Sequence, residues 1–172
     1  ENAPKKGAAA ILQRIFMNKL IFISLFSALL SLFANSAEVQ VLQKIELKDQ
    51  FDTTVQIDEK TKWIVFSTDK YISDLINKAL EDLKLTDLAK SNGAYVADIS
   101  AMPGMVTTMF ALPKMKKYPF KVVLDRDGDL TGKWPQKKEK ASLIKLDQLK
   151  IASVQQSGSF EEIKKFISEN TK

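Results

Sequence analysis

The chain has 172 residues, of which 45% are hydrophobic and 27% charged, which is enough for one globular domain with a proper core. It contains no cysteine and no histidine, which excludes thiol redox chemistry and removes the commonest general base and the usual nitrogen ligand of zinc or copper. Four of the 26 basic residues and one of the 21 acidic residues precede residue 38. The rest of the chain therefore has 22 basic and 20 acidic residues, a net charge of +2. At so small a net charge, no nucleic-acid partner is expected.

The beginning of the chain has the pattern of a targeting segment. Met17 and Lys19 precede an uncharged apolar run over residues 20–33, and small residues follow at 34–37. This order predicts a signal peptide over residues 17–37, cleaved after Ser36 or Ala37, and a periplasmic mature protein. An uncleaved signal anchor is the alternative, and it would be the only expected membrane attachment. Residues 1–16 fit no targeting pattern and are interpreted as an upstream extension.

Downstream of this leader, hydrophobic periodicity predicts alternating strands and helices. Residues 63–67, WIVFS, are apolar on both faces, as in a central strand covered on both sides. They run directly into a helix whose apolar positions, starting at Ile72, recur every three or four residues. A second helix begins near Pro103, and a third begins at Ser159, which is predicted to form a capping box with Glu162. The other predicted strands cover residues 39–47, 51–58, 94–99, 120–124, 142–146 and 150–155.

This order of elements predicts an α/β domain with a mixed sheet, helices on both faces and a closing hairpin. Three stretches also resemble the thioredoxin-like superfamily, in its peroxiredoxin and thiol-peroxidase branch: IELKDQFDTTVQIDEKTKWIVFS, YPFKVVLDRDGDLTGKW and SLIKLDQLKIASVQQSGSFEEIKKFI. The leader and layout are similar to the small periplasmic YtfJ-like family. The resemblance implies a thioredoxin-like three-layer α/β/α sandwich over residues 38–172, with a mixed central sheet and an N-terminal β-hairpin.

The sequence departs from this family at the positions that carry its chemistry. The resemblance places the reactive cysteines in residues 68–74, where there is none. It places a cis-proline near Ala141 and Ser142, where there is no proline, and Pro119 precedes an earlier strand. Because thiol-disulfide exchange and peroxide reduction need a thiolate, the resemblance implies the fold without the usual activity.

The turn after the central strand is the candidate binding site. Backbone N–H groups at a helix start can bind an anion or a peptide carboxylate, with Lys70 adding charge and Ser73 a hydroxyl. The alternative is that Thr68 or Asp69 caps the helix. A serine nucleophile at Ser67 or Ser73 would need a lysine or carboxylate base and is not expected. The candidate residues are Thr68, Asp69, Lys70, Tyr71 and Ser73.

Two further clusters have metal-binding interpretations. Asp125, Asp127 and Asp129 form the densest acidic group, but their spacing does not match a calcium loop, and a solvated turn is the better interpretation. Met102, Met105 and Met109 can offer thioethers to Cu(I) at i, i+3 and i+7. The alternative, which we favour, is an apolar helix stripe that faces the core.

These observations favour an exported, redox-inactive thioredoxin-like protein that acts as a binding or assembly module with a protein partner in the periplasm. One alternative is an accessory to thiol-disulfide or peroxide chemistry that uses the cysteines of a partner. Another is a copper-handling module based on the methionines. No cofactor and no catalytic residue follow from the sequence, and the partner itself is unknown.

Overall fold

A computed structural model of the chain describes residues 40–172. The predicted signal peptide and the extension before it lie outside these residues. Within the described residues, no helix is both long enough and apolar enough to cross a membrane.

The described residues form seven strands and three helices. The first helix, α1, spans Lys70–Asp82, and the last, α3, spans Phe160–Asn170. Helix α2 has three consecutive segments, Gly104–Val106, Thr107–Ala111 and Leu112–Met115, of which the middle one is a π-helix. A short 3-10 helix covers Leu88–Ser91. The strands are β1 Ile45–Asp49, β2 Thr54–Ile57, β3 Trp63–Ser67, β4 Gly93–Asp98, β5 Val123–Asp125, β6 Ala141–Asp147 and β7 Lys150–Ser157.

All seven strands belong to one mixed sheet with the order β2-β1-β5-β4-β3-β6-β7. Strand β3 lies parallel to β4 and antiparallel to β6, and β4 lies parallel to β5. The hairpins β1–β2 and β6–β7 form the two edges. The predicted mixed central sheet and N-terminal hairpin are therefore confirmed.

Strand β3 supplies side chains to two separate hydrophobic clusters. Trp63 and Val65 join the cluster under α1 and α3, where the Trp63 ring meets Phe166 edge-on at 6.2 Å between centroids. Ile64 and Phe66 join the cluster on the other face of the sheet. This alternation follows from the two-residue period of a strand and explains why all five residues are buried.

Different kinds of segment pack on the two faces of the sheet. Helices α1 and α3 pack on the first face with buried aliphatic side chains. In the described part of the chain, the second face is covered by non-helical segments that contribute Leu42, Trp134 and Leu149. Trp134 packs edge-on against Phe66 at 5.3 Å between ring centroids. Within residues 40–172, loop segments thus cover this second face, where the sequence predicted helices.

The predicted strand over residues 120–124 is shorter than expected, since β5 covers Val123–Asp125. The buried side chain of Gln50 bonds the residues before β5 in place of a neighbouring strand. Its Oε1 accepts from the N–H of Val122 at 2.8 Å, and its Nε2 donates to the carbonyl of Phe120 at 2.7 Å. Backbone groups that sequence periodicity assigned to a strand are thus satisfied by one amide side chain.

The capping box predicted at the start of α3 does not form. Ser159 occupies the N-cap position, but its side chain makes no cap hydrogen bond. Its N–H donates instead to the hydroxyl of Ser157, because β7 continues to that residue before the chain turns. The carboxylate of Glu162 accepts from Gln155, and hydrogen bonds from Ser157 and Gln155 lower the pKa of Glu162.

The turn after β5 is organised by the buried carboxylate of Asp125. Its Oδ1 accepts from the N–H of Gly128, and its Oδ2 accepts from the N–H of Leu130 and from the N–H and hydroxyl of Thr131. The solvated-turn interpretation is therefore right for the exposed Asp127 and Asp129 but wrong for Asp125, which is 2% exposed. Both Asp125 oxygens bond to the turn itself, and no group of acidic residues suited to a metal ion occurs within residues 40–172.

Replacing Asp125 should destabilise the domain strongly. In Asp125→Asn, one oxygen becomes a donor that faces other donors, and we expect a loss of about 2 kcal/mol or more in the free energy of unfolding in urea. The exposed Asp127→Asn in the same turn is the control and should change it by no more than about 0.5 kcal/mol. Equal effects of the two substitutions would contradict this account of the turn.

Gly93 allows β4 to lie against the buried ring of Trp63. A Cβ at Gly93 would lie 2.0 Å from Trp63 Cε2, whereas one at Gly104 would meet nothing within 4 Å. We expect Gly93→Ala to lower the free energy of unfolding by about 2–3 kcal/mol because the ring must shift. Gly104→Ala should leave it unchanged or raise it by up to about 1 kcal/mol. Urea unfolding of both variants tests this difference.

Candidate functional site

The turn that leads into α1 is a helix cap, as the capping interpretation predicted. Asp69 is the N-cap residue, and its Oδ1 accepts from the N–H of Ile72 at 2.8 Å. The hydroxyl of Ser73 donates to the backbone carbonyl of Asp69 at 2.9 Å. Tyr71 is 63% exposed, and Lys70 forms an ion pair with Asp74. The carboxylate of Asp69 thus occupies the start of α1, where the sequence analysis considered an external anion.

The two serines of this turn are hydrogen-bonded to each other. The hydroxyl oxygens of Ser67 and Ser73 are 2.9 Å apart. Burial raises the pKa of the neighbouring Tyr95 to about 12, against the opposing effect of these hydroxyls. Within the described residues, neither serine hydroxyl is hydrogen-bonded to a lysine or a carboxylate that could act as a base. The geometry gives no support to a serine nucleophile.

A cavity of about 470 Å³ opens beside this turn, between α1 and α2. We call it the α1–α2 cavity. It lies past the carboxyl ends of β3 and β4, which is where open α/β sheets usually bind ligands. The residues that line it are Thr68, Asp69, Lys70, Ser73, Asp74, Asn77, Asp98, Ile99, Ala101, Met102, Val106, Phe110, Ala111, Lys114, Met115 and Tyr118. It brings together four of the five predicted turn residues and Met102.

The charged groups at the rim of the α1–α2 cavity are centred on Asp74. Its carboxylate pairs with Lys70 at 2.5 Å and with Lys114 at 3.3 Å. Partial burial acts to raise the pKa of Asp74, but the hydrogen bonds from the two lysines outweigh it and lower the pKa below its usual value. The nearby Tyr118 and the ion pair with Asp74 raise the pKa of Lys114.

Two of the residues that line the cavity each have one side-chain oxygen atom that is buried inside the protein without a hydrogen-bond partner. Asn77 is only 9% exposed, and its Nδ2 donates to the hydroxyl of Tyr118 at 3.1 Å. Its Oδ1 accepts no hydrogen bond, and neither does the buried Oδ2 of Asp69. Sequence reasoning missed Asn77, although a polar residue next to the apolar positions of α1 is a signal that could have identified it.

The apolar stripe predicted to face the core on α2 faces solvent instead. Met105, Val106, Met109 and Phe110, which we call the α2 face, are 74%, 41%, 62% and 67% exposed. Only Leu112 and Met115, at the end of the helix, pack against the core. The core-facing interpretation is therefore wrong, because α2 meets the first hydrophobic cluster through its C-terminal residues alone.

The three methionines considered for copper lie in two different settings, and the copper interpretation stays a prediction. Met102 lines the α1–α2 cavity, whereas Met105 and Met109 are not among its lining residues. Exposed apolar side chains next to a cavity are characteristic of surfaces that bind other molecules. A π-helical segment such as Thr107–Ala111 is also frequent at functional sites.

These features define a thioredoxin-like α/β domain without cysteine, in which the turn that the resemblance assigned to reactive thiols forms one wall of the cavity. The peroxidoxin BcpB from Mycobacterium tuberculosis is similar in structure, with a TM-score of 0.50, 12% identity, and coverage of 76% of this chain and 96% of that chain. A putative protein disulfide isomerase from Bacteroides thetaiotaomicron has a TM-score of 0.50, 13% identity, and coverage of 76% and 85%.

StoA from Bacillus subtilis also has a TM-score of 0.50, with 15% identity and coverage of 73% of this chain and 97% of that chain. At these identities the likeness shows the fold alone, and it confirms the predicted thioredoxin-like architecture. No protein-family model matches the chain, and no curated protein matches its sequence. The likeness to the YtfJ-like family stays a prediction.

The depressed pKa of Asp74 gives a pH-dependent prediction. Its ion pairs should stabilise the fold above the unfolded-state pKa of about 4, and this contribution should be lost as the pH falls through the lower folded-state pKa. An NMR titration of the Asp74 carboxyl carbon should show Lys114→Gln moving the midpoint up toward the usual value. Lys117→Gln, an exposed lysine outside the ion pair, should leave the midpoint in place; a shift as large as that of Lys114→Gln would refute the assignment.

Proposed function

We propose that this chain is an exported, redox-inactive thioredoxin-like protein that binds an apolar segment of a partner protein across the α2 face. The observation that carries the proposal is the exposure of Met105, Met109 and Phe110 directly beside the α1–α2 cavity. Contact with a partner would remove these side chains from water, which is the main favourable term in most protein association.

The chemistry of the α2 face fits an adaptable binding surface. Methionine side chains are unbranched and polarisable, and they can adjust to partners of different shape. Phe110 and Val106 are exposed and also line the cavity, so the face and the cavity form one continuous surface. A segment that crosses the α2 face can therefore place a side chain in the cavity.

The expected site of action is the periplasm. This part of the proposal rests on the uncharged apolar run at residues 20–33, the small residues at 34–37 and the basic Lys19 before them. The thioredoxin-like fold without cysteine supports a role in binding, because the chain has no thiolate of its own.

Site-specific photocrosslinking in cells that express the full chain tests the proposal. A photoreactive amino acid at position 109 should give adducts with a protein partner, whereas the same group at Phe51, which is 50% exposed on the β1–β2 hairpin, should not. Substitution of Met105, Met109 and Phe110 by serine should reduce partner capture at least tenfold, with little effect on urea unfolding because the three side chains are exposed.

Phe51→Ser is the matched control, and it should leave capture unchanged. Equal adducts at positions 109 and 51, or unchanged capture by the triple serine variant, would refute the proposal. Identification of the captured protein also tests the accessory alternative, which requires a partner with reactive cysteines.

A further inference from the structure

We infer that two copies of this chain associate through strand β7, which pairs with the β7 strand of the second copy in antiparallel orientation. The inference goes beyond the proposed function and does not involve the α2 face. It starts from the position of β7 at the end of the strand order, where β6 is its neighbouring strand on one side only.

Most of the outer edge of β7 has no partner among residues 40–172. Near the start of the strand, the N–H of Ile151 donates to the carbonyl of Gln40 at 2.9 Å, and Val41 forms an isolated bridge with Lys150. Beyond Ile151, the backbone of β7 pairs with β6 and with no other backbone segment that the structure describes. Residues 152–155 are exposed. We call residues 152–157 the open edge.

The open edge lacks the features that normally protect an edge strand. Proteins protect such edges with short strands, charged side chains or proline. The opposite edge of this sheet follows that rule, since β2 has only four residues and Asp52 and Asp58 lie within two residues of its ends. The open edge has the sequence ASVQQS, without charge or proline. It can therefore accept another strand through backbone hydrogen bonds.

The charges at the two ends of β7 favour a second copy of the chain as that strand. Lys150 begins the strand, and Glu161 follows its end in the first turn of α3. Both side chains are exposed, and neither forms an ion pair within the described residues. Two copies of one strand that pair about a two-fold axis run antiparallel, so the start of each lies beside the end of the other. Lys150 of each copy thus approaches Glu161 of the other.

The middle of the open edge is compatible with pairing to itself. Residues 151–157 carry no charge, so no like charges face each other when the strand meets its own copy. Ser153–Ser157 pair with β6 in regular register, which is shifted only before them. This regular part is centred on the exposed Gln155, which would lie opposite Gln155 of the second copy. The two sheets would then form one continuous sheet.

Single cysteines in this cysteine-free chain test the inference. In the full chain, Gln155→Cys should form a covalent dimer with a short bis-maleimide, because the two thiols face each other across the two-fold axis. Gln56→Cys, an exposed glutamine on the edge strand β2, is the matched control and should give at least tenfold less dimer. Equal yields at the two positions would overturn the inference.

Charge reversal tests the orientation of the two strands. In sedimentation equilibrium, Lys150→Glu and Glu161→Lys should each weaken the dimer several-fold, because the two-fold axis makes each change occur twice. The double variant should restore most of the affinity, and Lys60→Glu, next to β2, should change nothing. A monomeric parent chain at the concentrations used for NMR, or no recovery in the double variant, would overturn the antiparallel pairing.

Hydrogen exchange tests what occupies the open edge. Amide protons of residues 152–157 that point away from β6 should exchange slowly in concentrated solution and faster on dilution. Protection that does not depend on concentration would assign the edge to residues of the same chain before Gln40, and it would overturn the dimer.

Discussion

The constraint on which the rest of the structure depends is the burial of strand β3 on both faces and both edges. Its five residues pair with β4 on one side and β6 on the other, and their side chains alternate between two hydrophobic clusters. A strand that is apolar on both faces can be fully buried only at the centre of a covered sheet. This requirement places α1 on one face and the segment with Trp134 on the other, and it directs the end of β3 into the α1–α2 cavity.

The α1–α2 cavity lies beside the turn to which the resemblance assigned reactive thiols, and this chain has no cysteine there. At the start of α1, Asp69 caps the helix with one oxygen and leaves the other buried and unpaired. A carboxylate cannot exchange disulfides, because that reaction needs a thiolate. The exposed α2 face is the observation on which the proposed binding role rests.

Sequence reasoning predicted local elements well because their signals are local. The WIVFS strand, the periodic helix after it and the closing hairpin were found from apolar spacing and turn residues. The prediction failed where one side chain replaced a regular contact. Gln50 bonds the residues before β5, and the hydroxyl of Ser157 accepts from the Ser159 N–H, which a capping box assigns to Glu162. Such contacts depend on residues that are distant in sequence or on the exact length of a strand, and hydrophobic periodicity contains no information about either.

The sequence by itself determined the order of strands and helices, the thioredoxin-like class and the absence of thiol and imidazole chemistry, because these depend on composition and short-range pattern. Only the tertiary structure decided which apolar residues form the core. The apolar stripe of α2 looks the same in sequence whether it faces the sheet or the solvent, and the contacts of its C-terminal end turn Met105, Met109 and Phe110 outward. The tertiary structure also brought Asp69 and Asn77 of α1 to one cavity with Asp98 at the end of β4, since these two segments meet only after the sheet has formed.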